Sequence, residues 1–309
     1  MRIAIMGAGG VGGYFGARLI KGGQAEVTFI ARGSHLAAMR ANGLRLDSDI
    51  GNLLLKPVKV VASAAEIPAA DAIIFAVKMR DTESAAETLR PLVAKGAAVF
   101  TFQNGVESAE RISRIVGAGN VVEGAARIAS HIPEPGVIRQ SSKFAVLEFG
   151  ERNGKPSPRV QALLEACLSA GIDARLSENI SRTLWLKFAM LAPVAGMTAL
   201  ERGPLGPIRR TPESYALLKA AVEETVAVGL ALKTGLEPED AARSLKLIDG
   251  LPDTMMASMC HDLLAGKPIE VRGLSGAVAR LAKENGVAAP THAFIAAALA
   301  PFVDGAPKV

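Results

Sequence analysis

Aromatic residues are scarce: one tryptophan, two tyrosines and ten phenylalanines make up 4% of the 309-residue chain. Ala, Leu, Val and Ile must therefore fill the core, and no repeated aromatic platform is available for stacking bases. Cysteine is scarcer still. Cys167 and Cys260 stand 93 residues apart, with no Cys-x-x-Cys and no clustering of the four histidines, which excludes a disulfide scaffold and a metal site such as zinc. Both thiols are expected to be small buried hydrophobes. Charge is nearly balanced, with 35 Lys and Arg against 30 Asp and Glu for a net +5, and the densest basic pair is Arg209-Arg210. That distribution argues against a nucleic-acid groove and suits a small anionic cofactor or substrate. The longest apolar run, 188–200, is too short to span a bilayer and contains Pro193 and Gly196. The apolar start, 1–6, is too short for a signal peptide. A soluble cytoplasmic protein without membrane association is expected.

Half of the residues are hydrophobic and 21% are charged, the balance of a globular protein, and the length suggests about two domains of roughly 150 residues each. Short apolar runs at 2–6, 27–31, 72–77, 98–102 and 121–124 alternate with helical stretches, which predicts a parallel sheet with covering helices. Alternating apolar residues over 44–61, around Asp49-Ile50-Gly51-Asn52, predict an inserted hairpin. Two further strands, 136–138 and 144–149, are expected to extend the sheet antiparallel, followed by a helix over 156–171 and a strand over 173–176. After Ser177 only helical patterns remain, at 178–200, 213–234, 238–248, 258–265, 273–285 and 293–303. The expected fold is an α/β Rossmann-type N-terminal domain, 1–177, plus an all-α C-terminal domain, 178–309. The apolar stretch 293–303 is compatible with a homodimer interface and equally with burial inside one subunit.

The strongest motif is Gly7-Ala8-Gly9-Gly10-Val11-Gly12, directly after the first strand and at the start of a helix. Gly7 permits the tight turn, Gly9 lets backbone approach a pyrophosphate, Gly12 lets helix and strand pack closely, and the helix N-terminus presents N–H groups to the anion. The second strand ends at Arg32, 20 residues after Gly12, where an acidic residue would mark a free ribose hydroxyl and a cation suits a 2′-phosphate. No acid is visible at that strand end, since Glu26 lies at the other, so the reading is NADPH. Lys78 and Asn104 follow the next two strands and project towards the same crevice, as cofactor contacts or as turn chemistry. In the helical half, Lys187 is followed by 13 uncharged residues. It either snorkels from a core helix or is held in a partly desolvated cleft, where it could protonate a carbonyl oxygen. Glu270 either orients the lysine or the cofactor, or simply begins a solvated helix.

Taken together, Gly7–Gly12, Arg32, Lys78, Gln103-Asn104-Gly105, Trp185-x-Lys187-Phe188, and Ser258 followed by Ala265-Gly266-Lys267-Pro268-x-Glu270 resemble the ketopantoate reductase family (2-dehydropantoate 2-reductases) over nearly the whole chain. The resemblance implies a Rossmann domain that binds NADPH, a helical domain that closes over it, and hydride transfer to the ketone of a 2-oxo acid. It implies Lys187 as catalytic proton donor, Asn104 and Lys78 as cofactor-cleft residues, Ser258 as a substrate-side hydroxyl, and Glu270 as an acidic partner near lysine and cofactor. The chain departs from the family where asparagines usually follow the lysine at four and eight residues: Leu191 and Ala195 stand there. Leu205 and Ser275-Gly276 also replace family asparagines. A substrate pocket stripped of such polar anchors favours a 2-oxo acid with a more apolar body than ketopantoate. An opine-type or other hydroxyacid dehydrogenase, and a non-catalytic NADP(H)-binding protein, are the alternative readings.

Overall fold

Ile3, Ala4, Ile5 and Met6 are all buried because β1 (Arg2–Met6) runs through the middle of a sheet covered on both faces. The computed structural model describes residues 1–307 and divides the chain into two units, Met1–Ile180 and the chain from Ser181 onward.

In the first unit β1 is followed by α1 (Gly10–Gly22), β2 (Glu26–Ile30), α2 (Gly33–Asn42), β3 (Leu44–Asp47), β4 (Leu53–Leu55), β5 (Val60–Val61) and β6 (Ala72–Phe75). Next come α3 (Thr82–Val93), β7 (Ala98–Thr101), α4 (Ser108–Val116), β8 (Val121–Arg127), β9 (Ser130–His131), β10 (Val137–Gln140), β11 (Val146–Gly150), α5 (Pro158–Ser169) and β12 (Asp173–Leu176). The main sheet has eight strands in the order β12-β11-β8-β7-β6-β1-β2-β5, parallel throughout except where β11 meets β8. Alternation along each central strand divides the core. Ile3, Ile5, Ile74 and Phe100 join one cluster with Phe15 of α1 and Leu163 of α5, while Ala4, Met6, Ile73 and Val99 join another with Leu89 of α3 and Ile112 of α4. Helices therefore cover both faces, as the continuous apolar runs require.

The expected hairpin is present as β3–β4, but it belongs to a second, four-stranded sheet ordered β4-β3-β10-β9. The strand expected at 136–138 accordingly does not extend the main sheet. β10 instead pairs parallel with β3, a contact across about 90 residues of sequence that local pattern could not announce. Only β11, of the two strands expected to do so, lengthens the main sheet antiparallel. Cys167 is fully buried in α5, and burial pushes its thiol pKa up to about 12.

The second unit is helical: α6 (Ile180–Leu200), α7 (Leu205–Arg210), α8 (Pro212–Ala231), α9 (Asp240–Asp249), α10 (Ser258–Leu264), α11 (Ser275–Glu284) and α12 (Pro290–Leu299). α7 is absent from the sequence expectation, because Pro204 precedes so short a segment and Pro207 lies within it. α6, with 21 residues, is long and apolar enough to cross a membrane, which the count of the uncharged run alone understated. It is nevertheless 67% buried over its most apolar window, as a core helix is. Gly196 lets α6 pack closely: a Cβ there would lie 2.9 Å from Ser275 Oγ and 3.0 Å from Ile295 Cγ2. On α12, Ile295 and Leu299 are buried while Phe294 stays 57% exposed.

Candidate active site

At the carboxyl end of β1 the chain turns through Gly7, whose φ of +100° is open only to glycine at little cost. The N–H groups of Gly7 and Ala8 both donate to the Ile30 carbonyl at 3.3 Å, tying the loop to the end of β2. A Cβ on Gly12 would lie 2.2 Å from the Gly7 carbonyl oxygen, so α1 starts flush against the turn. Gly9 has open space where its side chain would be, and as the N-cap of α1 it provides no side-chain hydrogen bond. Among the described residues no side chain thus caps the first-turn N–H groups at the positive end of the helix, and the backbone around Gly9 is approachable. These features fit the pyrophosphate of a dinucleotide.

Arg32 is the N-cap residue of α2, and its guanidinium forms an ion pair with Asp81, the arginine side chain 78% exposed and the carboxylate 21% exposed. Here the structure corrects the sequence reading, which saw no acid at the end of β2. β2 and β6 flank β1, so the turn after β6 brings Asp81 to Arg32 across 49 residues. Lys78 precedes that same turn and is exposed, and Asn104, half-buried, follows β7. Phe75 of β6 stands opposite Thr101 of β7, so Lys78 and Asn104 each lie three residues beyond this pair. Gln103 braces the two strand ends: its Nε2 donates to the Val77 carbonyl at 2.9 Å and to Thr82 Oγ1 at 3.0 Å. The glycine loop, Arg32, Lys78 and Asn104 thus share one edge of the parallel sheet. Glu26 lies at the opposite edge, paired with Lys59.

Besides Asp81, two residues at this edge escaped the sequence reading. His35 accepts the Gly136 N–H on Nδ1 at 3.0 Å, fastening the second sheet beside the loop. Burial pulls its pKa below the ordinary range, partly offset by the Ala8 backbone, so the imidazole is neutral near pH 7. Ser130 crowds the first turn of α1: a Cβ on Gly10 would lie 2.4 Å from its carbonyl oxygen. The Ser130 hydroxyl is buried without a partner among the described residues. Neither residue lies in a recognisable motif, and only the packing of the second sheet against the loop brings them there.

In the second unit, Lys187 is half-buried in the second turn of α6, between buried Trp185 and Phe188, whose rings meet edge to face at 5.6 Å. Leu191 and Ala195 follow on the same helical stripe, Leu191 half-buried and Ala195 1% exposed. Thr198 continues that stripe, and its Oγ1 accepts the Ala257 N–H at 3.5 Å. This contact sets the start of α10, and with it the exposed Ser258, near the far end of the stripe. Glu270, half-buried, begins the short turn Val271–Gly273 that leads into α11. The base of α6 is anchored by Arg182, which holds Asp240 through contacts of 2.9 and 3.1 Å. Burial would raise the Asp240 pKa, but the Glu237 N–H, Arg243 and Arg182 together outweigh it and keep the carboxyl below its usual range.

Residues 3–154 match the family described as ketopantoate reductase PanE/ApbA, and residues 179–302 match its C-terminal counterpart. A 2-dehydropantoate 2-reductase of Mesorhizobium japonicum is 30% identical over 305 residues, 92% of each chain. An uncharacterized oxidoreductase of Bacillus subtilis, YkpB, is 29% identical over 94% of this chain and 95% of its own. The crystal structure of a 2-dehydropantoate 2-reductase from Geobacter metallireducens superposes with a TM-score of 0.90 at 28% identity, covering 97% of this chain and 99% of that one. The chain therefore belongs to the ketopantoate reductase family, oxidoreductases that act on a keto or hydroxyl group with a nicotinamide cofactor.

Proposed function

We propose that this chain reduces a 2-oxo acid to the 2-hydroxy acid with NADPH, residues 1–177 holding the cofactor and residues 178–309 carrying the substrate chemistry. The backbone from Gly7 to Gly12 holds the pyrophosphate, Arg32 the 2′-phosphate, and Lys78 and Asn104 the ribose and nicotinamide side. The bound nicotinamide supplies the hydride that adds to the carbonyl carbon. Lys187 gives a proton to the carbonyl oxygen as negative charge develops on it, and Glu270 orients the lysine. Ser258 offers a hydroxyl to the substrate. Leu191 and Ala195, on the Lys187 stripe, form an apolar wall, which favours a 2-oxo acid with a more apolar body than ketopantoate.

The observation that carries this reading is the meeting of the uncapped glycine loop with Arg32, Lys78 and Asn104 at one sheet edge. Its test is a panel of 2-oxo acids, including ketopantoate, assayed with NADPH and with NADH by the loss of reduced-cofactor absorbance. Turnover of an apolar 2-oxo acid with NADPH is expected. A strict requirement for an added amine would move the assignment to an opine-type dehydrogenase, and no carbonyl-dependent oxidation of either cofactor would end the catalytic reading.

A further inference from the structure

Away from the glycine loop, the first unit carries a cavity of about 660 Å³ beside the carboxyl-terminal half of α1. Arg18, Tyr14 and Lys21 of α1 line it, with Ile50 from the β3–β4 turn and Lys143 and Phe144 from the segment before β11. The volume lies within the range of small-molecule sites, about 300–1,000 Å³.

Arg18 is the unusual member. Its side chain belongs to a residue only 9% exposed, yet no carboxylate among the described residues pairs with it. Nη2 donates to Ser48 Oγ at 3.0 Å and to the Gly51 carbonyl at 2.9 Å, and the guanidinium lies 5.2 Å from the Tyr14 ring centroid. Nε is buried without a partner, and Nη1 donates to none of the described residues. Buried cations are ordinarily paired, because desolvation of the charge otherwise opposes folding. An unpaired guanidinium on a cavity wall is the signature of a place kept for an anion.

The surroundings of Arg18 are built rather than incidental. Ser48 Oγ accepts from Arg18 and from the Ile50 N–H at 3.1 Å, and donates to Gln140 Oε1. Gln140, 4% exposed, passes the chain on through Nε2 to the Phe144 carbonyl at 3.1 Å. One hydrogen-bonded network thus joins the cation on the wall to both rim residues. Those rim residues are apolar and open to solvent, Ile50 52% and Phe144 54% exposed. Lys21 and Lys143 add positive charge against the single carboxylate of Asp173. The carboxyl end of α5, at Ser169, also borders the cavity, and its partial negative charge disfavours a doubly charged phosphate more than a monoanion.

We propose that this cavity is a second small-molecule site, which takes a monocarboxylate with a short apolar body. The carboxylate meets Arg18, with Lys143 and Lys21 beside it, and the apolar body lies against Tyr14, Ile50 and Phe144. From Gly10 to Arg18 along α1 is about 12 Å at 1.5 Å per residue, so this ligand and a dinucleotide on the loop bind without competing. The proposal stands independently of the reductase reading.

The test is calorimetric titration of the full-length protein with hexanoate, and with 1-hexanol as the uncharged control, in the absence and presence of saturating NADPH. Hexanoate is expected to bind at least tenfold more tightly than hexanol, with or without NADPH. Arg18→Gln and Lys143→Glu should each weaken hexanoate at least tenfold, and Lys187→Ala should leave it unchanged. Lys143 is exposed, so Lys143→Glu carries the test if Arg18→Gln does not fold. Absence of hexanoate binding, equal binding of hexanol, or displacement by NADPH overturns the proposal. So does binding that survives Lys143→Glu but is lost in Lys187→Ala, because that places the probe in the substrate site.

Discussion

Replacing Asp81 by asparagine should tighten NADPH binding while leaving NADH nearly unchanged. Arg32 is held by Asp81 through an ion pair whose arginine is 78% exposed, and exposed pairs contribute only about 0–1 kcal/mol. Freeing the guanidinium therefore accounts for at most about fivefold. A 2′-phosphate on Arg32 must also accept the Asp81 carboxylate as a neighbour. Like unit charges about 6 Å apart repel by about 3 kcal/mol at an effective dielectric of 20 and by less than about 1 kcal/mol in water. With Asp81 21% exposed and Arg32 largely solvated, a value nearer the water limit applies. The two effects together predict a fall of about 3- to 10-fold in the NADPH dissociation constant for Asp81→Asn, with the NADH constant within about twofold. Arg32→Ala should raise the NADPH constant about tenfold, the loss expected for a hydrogen bond between charged groups, and Arg32→Asp should invert the preference. Fluorescence titration of the reduced nicotinamide reads each of these constants. If Asp81→Asn instead weakens NADH tenfold and leaves NADPH unaltered, Asp81 is the partner of a ribose hydroxyl, and the role assigned to Arg32 falls.

Lys187→Ala should lower turnover by about 10² or more with NADPH affinity nearly unchanged, and Lys187→Arg should not restore it, since a guanidinium is too weak an acid; near-normal steady-state rates in the alanine variant would make Lys187 a snorkelling core residue. Leu191→Asn should raise kcat/KM for ketopantoate relative to apolar 2-oxo acids by about tenfold. Ala195→Asn is the harder change, since Ala195 is 1% exposed and overpacking costs about 1–3 kcal/mol, and efficient ketopantoate turnover by the unaltered enzyme would refute the apolar-pocket argument altogether. Asp240→Asn, which leaves Arg182 beside a neutral side chain, should lower stability by about 2 kcal/mol or more in urea titrations near neutral pH. Because the Asp240 pKa is lowered on folding, its contribution is present above the usual carboxylate range near 4 and is lost as pH falls through the folded value. The gap between Asp240→Asn and the parent should therefore narrow in acid, and a gap independent of pH would show that the carboxylate charge is not what matters.

The course of the first unit was legible because its central strands are continuous apolar runs and its helices have amphipathic spacing, both local properties of the chain. The cofactor loop was legible for the same reason. Gly7 and Gly12 are required by the geometry of one strand-turn-helix, Gly9 leaves the backbone between them approachable, and that arrangement is encoded within a dozen residues. Lys187 stood out because the 13 residues that follow it along its helix carry no charge. The second sheet was not legible, because β10 finds β3 from far along the chain and neither strand announces its partner.

Sequence alone thus determined which residues are able to form a phosphate-binding turn and which lysine is set in apolar surroundings, since these follow from backbone sterics and side-chain chemistry over short spans. Only tertiary structure decided what stands beside them. Asp81 reaches Arg32 because β1 separates their strands by one place on each side, and Gln103 braces Val77 because β6 and β7 are neighbours in register. Arg18 gives the same lesson away from the loop. In sequence it is one more cation on a helix, but the β3–β4 turn supplies its hydroxyl and carbonyl partners, the segment before β11 lines the same cavity, and no carboxylate among the described residues pairs with its charge. Strand order and long-range packing set the electrostatic environment of a group, and residues distant in sequence create it.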